Sequence, residues 1–118
     1  MSLPQKILVV DDEADVRFIV SSMIKSRGMQ VEACESLQGC MRQMQQFRPD
    51  VVILDIDLPD GSGLDALPKI KKMHPKCKVV INSAHDSEEN KKLAEERGSA
   101  DFLTKPLNRE KLFDAIEV

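Results

Sequence analysis

Four short stretches of this chain carry groups that could do chemistry together. Asp11-Asp12-Glu13 follows the apolar run Ile7-Leu8-Val9-Val10, and Asp55-Ile56-Asp57 follows Val51-Val52-Ile53-Leu54. Ser83 closes Val79-Val80-Ile81-Asn82, and Lys105 comes just after Phe102-Leu103-Thr104. Each polar group stands at the end of an apolar run. If the runs lie side by side, several carboxylates meet in one place. Two like charges roughly 4 Å apart repel by about 4 kcal/mol at an effective dielectric of 20, so such a cluster calls for a cation. Oxygen-only ligands suit a hard cation, and an incomplete, water-rich set suits Mg²⁺ better than a Ca²⁺ cage. Metal, ammonium, hydroxyl and carboxylate together make a phosphoryl site. Metal and Lys neutralise phosphate oxygens, the hydroxyl donates to another, and the carboxylate attacks. Each residue alone has a plainer use. An Asp before a helix is a common cap, a Ser after a strand caps a turn, and a loop Lys is usually solvated.

The elements must therefore bring these ends together. Val51 to Leu54 is continuously apolar, which marks a strand buried on both faces of a helix-covered parallel sheet. Lys6 to Val10 is a first strand, followed by Val16, Ile19, Val20, Met23 and Ile24 at helical spacing until Gly28. Met29 to Cys34 alternates as strand two. Ser36 caps a helix whose inner face is Leu37, Met41, Met44 and Phe47, and Pro49 ends it. Asp60-Gly61-Ser62-Gly63 is turn chemistry before a helix to about Met73. Pro68 inside that helix is expected to bend or delay its first turn. Lys78 to Asn82 is strand four. Asp86 or Ser87 caps a fourth helix with little beyond Leu93 and Ala94 to bury, which makes it the loosest helix. Ala100 to Leu103 is the last strand, and Leu112, Phe113 and Ile116 mark a last helix running to Val118. Met1 to Leu3 reads as a disordered start.

Five β-α units with right-handed crossovers give an α/β, doubly wound (βα)5 sandwich of flavodoxin-like type. The expected order of its parallel sheet is 2-1-3-4-5, with the switch point between strands one and three. Neighbouring parallel strands lie about 4.8 Å apart, so Asp11, Asp12 and Asp55 converge there.

The chain has 118 residues, enough for one domain and too few for two. A net charge of −3 without a basic cluster argues against direct nucleic-acid binding by this segment. No apolar run is long enough to span a membrane and no signal-peptide pattern opens the chain, so a cytoplasmic location is expected. Cys34 and Cys77 fall in predicted strands and Cys40 on a helix face. They are odd in number, lack metal-ligand spacing and read as reduced packing residues. His74 and His85 form no zinc pattern.

From Lys6 to Glu117 the chain resembles a response-regulator receiver domain of bacterial two-component signalling. The resemblance rests on Ile7-Leu8-Val9-Val10-Asp11-Asp12-Glu13, Pro49 through Gly63, Ser83-Ala84-His85 and Phe102-Leu103-Thr104-Lys105-Pro106, in that order at four strand ends. It implies that Asp55 is the phospho-acceptor, taking a phosphoryl group from the phosphohistidine of a sensor kinase or phosphotransfer protein. Asp12, the Asp55 side chain and the backbone carbonyl of Asp57 would hold Mg²⁺, with Asp11 acting through water. Lys105 would pair with the phosphoryl group, and Ser83 would bond it and move inward. Phe102 would be the aromatic that couples Ser83 to the face made by the fourth helix, last strand and last helix; its competing role is plain core packing. Asp57 and His85, each two residues past a key position, would tune how water reaches the acyl phosphate. Pro106 matches the family's cis-peptide site.

The resemblance implies a switch rather than a conventional enzyme, limited to self-phosphorylation from phosphohistidine or small phosphodonors and slow autodephosphorylation. The readout would be the chain's own output domain or a downstream protein, with a homodimer on activation as a further form. Residues 1–118 read as a single receiver domain that either stands alone or belongs to a longer regulator. Two other readings stay open. One is a binding module with this fold and no phosphorylation. The other is a haloacid-dehalogenase-type phosphatase, which Asp55-Ile56-Asp57 also resembles, although that family carries the pair on its first strand.

Overall fold

The computed structural model describes residues 6–117, so the expectations for Met1 to Leu3 and for Val118 lie outside the described residues. Strands β1 (Lys6–Val10), β2 (Gln30–Cys34), β3 (Val51–Leu54), β4 (Lys78–Ser83) and β5 (Asp101–Thr104) alternate with helices α1 (Ala14–Lys25), α2 (Leu37–Gln46), α3 (Gly63–Met73), α4 (Glu88–Glu96) and α5 (Arg109–Glu117). All strand pairs in the main sheet are parallel, in the order β2-β1-β3-β4-β5. A small hairpin pairs Asp57–Leu58 with Gly61–Ser62 at the end of β3.

The unbroken apolar run of β3 has a direct cause. Val52 and Leu54 join the core under α2, α3 and α4, whereas Val51 and Ile53 join the core under α1 and α5. A strand with no solvent face has no use for a polar residue until it leaves the sheet. β1 is buried in the same way from Ile7 to Val10.

Sheet hydrogen bonding runs one rung past three of the strands. Asp11 N donates to Cys34 O (3.1 Å), Asp55 N to Val10 O (3.0 Å) and Lys105 N to Ser83 O (3.1 Å). These last rungs hold the backbones of three chemically important residues as firmly as the strands themselves. The chain then turns sharply beneath Asp55. Gly63 N donates to Ile56 O at 2.8 Å, and a Cβ on Gly63 would lie 2.1 Å from the Asp55 carbonyl oxygen. Glycine is required there by the close approach of the backbone at the end of β3.

The helix starts follow local chemistry, with Ser36, Ser62 and Ser87 accepting from the backbone N–H of Gly39, Leu64 and Asn90. Asp60 adds to the α2 cap, accepting from Leu37 N (2.8 Å) and Gln38 N (2.9 Å), which holds its carboxyl below the usual range. α1 is different: Glu13 occupies its cap position without a side-chain capping bond, so neither Asp11 nor Asp12 stands at the helix cap. Cys40 and Met44 are the buried residues of α2, while Leu37, Met41 and Phe47 are only half-buried. Cys77 sits just before β4 and is buried. Burial pushes the thiols of Cys34, Cys40 and Cys77 up to about 11, 12 and 11, so they pack as neutral thiols.

Pro68 does not delay α3, which is helical from Gly63. Without an N–H, Pro68 leaves the Leu64 carbonyl free of its intrahelical donor. Arg97, the residue that ends α4, supplies one: its guanidinium donates to Leu64 O at 2.8 Å and to Asp65 Oδ1 at 3.1 Å. α4 buries only Ala94 completely, so this strut is a large part of what ties it to α3. Arg97→Ala is expected to lower stability by about 1 kcal/mol in urea unfolding. In a Pro68→Ala background, where residue 68 regains its N–H, the same change should cost less than half as much. An equal cost in both backgrounds would remove the link between Pro68 and Arg97.

Candidate functional site

Asp55 leaves β3 at the switch point and stands at the floor of a cleft of about 250 Å³. The cleft is lined by Asp12, Glu13, Asp55, Asp57, His85 and Lys105, together with Ala84. Asp55 is only 4% exposed, so a single face of its carboxylate is open to a reactant. Its Oδ1 lies 3.4 Å from the Asp57 backbone N–H, and its Oδ2 accepts from Lys105 Nζ at 3.0 Å.

Lys105 is the hub. Its ammonium also donates to Glu13 Oε1 at 2.8 Å and pairs with Asp11 Oδ2 at 2.9 Å. All three N–H groups thus meet carboxylates. Burial alone would draw the Lys105 pKa down; the bonds to Glu13, Asp11 and Asp55 more than reverse that, and the net shift is upward. The same ammonium holds the exposed Glu13 carboxyl below its usual value. Asp11 shifts the other way. Its burial outweighs the help of the Glu13 backbone N–H (2.9 Å) and Lys105, and its pKa is raised. The Lys105–Pro106 peptide is cis, as the motif implied.

One oxygen each of Asp11, Asp12, Glu13 and Asp55 lies within 4.8 Å of every other. Four carboxylates face one lysine, and the donor set is all oxygen. That composition fits a hard divalent cation. The exposed Asp12 is the member that Lys105 does not engage.

The remaining expected residues divide into those at the cleft and those beside it. His85 Nε2 meets Asp57 Oδ2 beside the cleft, each side chain well exposed. Ser83 is fully buried, does not line the cleft, and its Oγ accepts from His85 N at 3.0 Å. Phe102 is half-buried on β5, against the α2–α4 side of the core, and borders a shallow cleft with Lys91 and Glu95 of α4. Two residues have roles that pattern reading missed. Glu13 was legible only as the third acid of a run, although it carries the shortest bond to Lys105. Gly63 resembled ordinary turn chemistry, and its contact with the Asp55 carbonyl exists only in three dimensions.

Comparison with known proteins converges on one family. The response regulator receiver domain model matches residues 7–117. The chemotaxis protein CheY of Listeria monocytogenes is 31% identical over 113 residues, covering 95% of each chain. The nitrogen assimilation regulatory protein NtrX of Azorhizobium caulinodans is 34% identical over 108 residues, covering 90% of this chain and 24% of that protein. The probable transcriptional regulatory protein TcrX of Mycobacterium tuberculosis is 34% identical over 109 residues, covering 92% of this chain and 47% of that one. This chain therefore spans about a quarter of the first of those two longer relatives and about half of the second. Among solved structures, a CheY-like receiver domain protein of Methanospirillum hungatei superposes with a TM-score of 0.91 at 26% identity, over 98% of this chain and 91% of that one. A beryllofluoride-activated NtrC4 receiver domain dimer superposes with a TM-score of 0.89 at 27% identity, over 94% and 92%. With the strand order, the acidic cleft and Lys105 at its wall, these matches identify the chain as a member of the response regulator receiver domain family of two-component signal transduction.

Proposed function

We propose that this domain is a phosphorylation switch in which Asp55 is the acceptor. The observation that carries the reading is a nearly buried carboxylate, held by a last sheet rung at a cleft floor, 3.0 Å from a lysine ammonium. An Asp55 oxygen attacks the phosphorus of a phosphohistidine. The phosphorus–nitrogen bond breaks, the imidazole nitrogen leaves with the electron pair, and an aspartyl phosphate remains. Mg²⁺, when bound, neutralises the charge on the transferring group. Asp11, Asp12, the Asp55 side chain and the Asp57 backbone carbonyl are its expected ligands, with Asp11 acting through water. Lys105 already meets Asp55 and needs only a small shift to reach a phosphoryl oxygen.

The added group carries about −1.5 to −2 charge, by analogy with other phosphorylated side chains. Ser83, held by the His85 N–H just outside the cleft, is the hydroxyl that would turn toward it. Phe102, half-buried beside α4, has room to follow. α4 is the weakly anchored neighbour whose shift would alter the α4–β5–α5 face. The partner reading that face is an output domain or separate protein that prefers the phosphorylated state, or a second receiver. The phosphodonor needs a surface beside Asp55. Phe18 (74% exposed) and Ile19 (50%) on α1 are unusually apolar for such open positions and suit a sensor kinase or phosphotransfer protein.

Incubation with acetyl phosphate and Mg²⁺ should add one phosphoryl group, read by intact mass. Asp55→Asn should add none; labelling equal to the parent would remove Asp55 as acceptor. Phe18→Ala should leave acetyl phosphate labelling unchanged and slow transfer from a cognate phosphohistidine protein several-fold. A parallel fall in both would mean that Phe18 serves the fold. The Asp57–His85 pair stands across the route to Asp55, so His85→Ala should shorten the aspartyl phosphate lifetime several-fold. An unchanged or longer lifetime counts against a gate at that position.

A further inference from the structure

Asp11 and Asp12 are neighbours in sequence and opposites in structure. Every polar group of Asp11 is held. Its N–H donates to Cys34 O (3.1 Å), its Oδ1 accepts from Glu13 N (2.9 Å), its Oδ2 pairs with Lys105 Nζ (2.9 Å), and its carbonyl accepts from an Arg17 guanidinium N–H (2.8 Å). Asp12 is exposed and makes no hydrogen bond of its own among the described residues. It is also the acid of the cluster that Lys105 does not engage. Its placement therefore comes from the two peptides that flank it. A peptide is planar, so a held Asp11 carbonyl also sets the Asp12 nitrogen and Cα. The following peptide is held by Glu13 N on the Asp11 carboxylate. The bond from Arg17 uses no carboxylate of the cluster, so a cation that drew on Asp11 would leave it intact.

Arg17 stands where an apolar residue would be expected. It lies three and seven residues before Val20 and Ile24, the buried residues of α1, on the same stripe of the helix. Its side chain is 24% exposed, and its second terminal nitrogen is 4.0 Å from the exposed Glu35 carboxylate just after β2. The planar fork of an arginine suits a carbonyl on one nitrogen and a carboxylate on the other.

We infer that Arg17 is a positioning residue for the cation site: it fixes the Asp11–Asp12 peptide and so presents Asp12 to a divalent cation. The inference rests on the reading of this cleft as a divalent-cation site, and not on Asp55 being phosphorylated. Charge and position here have opposite consequences. Arg17 is itself a cation near the acids, so by charge alone its removal would tighten a dication. By position its removal weakens one.

Mg²⁺ titration of the ¹⁵N-labelled 118-residue chain, without a phosphodonor and followed by the amide shifts of Asp12, Asp55 and Asp57, reads the affinity of the folded protein. Arg17→Met keeps much of the stem and loses charge and donors. It should raise the half-saturating Mg²⁺ concentration about threefold to tenfold, the worth of one hydrogen bond behind a ligand. Arg17→Lys keeps the charge without the fork. It should weaken Mg²⁺ by a smaller factor, and it carries the test if Arg17→Met does not fold. Arg42 of α2, exposed and lining the same polar cleft as Arg17 at the end of β2, is the control for charge. Arg42→Met should bind Mg²⁺ as the parent does or slightly more tightly. Parent-like or tighter binding by Arg17→Met overturns the inference, as does an equal loss in Arg42→Met. A parent with no saturable shift overturns the cation site and the inference with it. Acetyl phosphate labelling is read separately: if it fails while Arg17→Met still weakens Mg²⁺, the switch falls and the role of Arg17 stands.

Discussion

A single ammonium among buried and half-open carboxylates is the interaction on which the arrangement of this site depends. Lys105 reaches Asp11, Glu13 and Asp55 at once, from the loop after β5 to the loop after β1 and the end of β3. Without it, two almost fully buried acids would sit side by side and lose the only ion pairs their carboxylates make among the described residues. Its protonated form is stabilised by the carboxylates it touches, so it remains a cation throughout the physiological range. Still, one positive charge faces four acids. The electrostatic shortfall is what makes the cleft receptive to a divalent cation, and Asp12, open to solvent and outside the lysine's reach, is where a cation can begin to bind. A cation held by this cluster would compete with Lys105 for Asp11 and Asp55.

That electrostatic arrangement works only because the backbone beneath it does not yield. Asp11, Asp55 and Lys105 each take one more sheet rung beyond the strand proper. The apolar run before Asp55 locks the strand between two cores, and Gly63 lets α3 begin directly against the Asp55 carbonyl. Under the proposed switch, a new charge on side chains held this way would move what is less firmly held. Among the described helices that is α4, with one fully buried residue and a strut from Arg97 to α3. Asp55 ends β3 and α4 follows β4, the strand paired beside it, so the path between them is short.

The parts legible in the sequence were those with one dominant local cause. Continuous apolar runs identified β1, β3 and β4, serine caps identified α2 and α4, and the strand order followed from crossover handedness. The site residues at strand ends were legible because the fold converts sequence positions far apart into neighbours. What was not legible depended on three-dimensional contact. The third ligand of Lys105 lies in an exposed, flexible glutamate whose partner is 92 residues away. The need for glycine at position 63 arises from a carbonyl eight positions earlier. Pro68 looked like a disturbance at the start of α3, yet its consequence is spatial: a carbonyl freed for an arginine from another helix. Even the position of Ser83, buried and off the cleft, follows from the register of β4 against β5 rather than from its own neighbours.

The Asp57–His85 pair illustrates how position and chemistry divide the work at the cleft. Asp57 comes from the small hairpin after β3 and His85 from the loop after β4, so each is placed by the strand that also delivers a reactive neighbour, Asp55 or Ser83. Neither is anchored by burial. Their mutual attraction is therefore the main thing holding either side chain over the opening, and at such exposure it is weak. A weak closure suits this position. Under the proposed function it would let a docked phosphodonor enter while narrowing the approach for a lone water molecule.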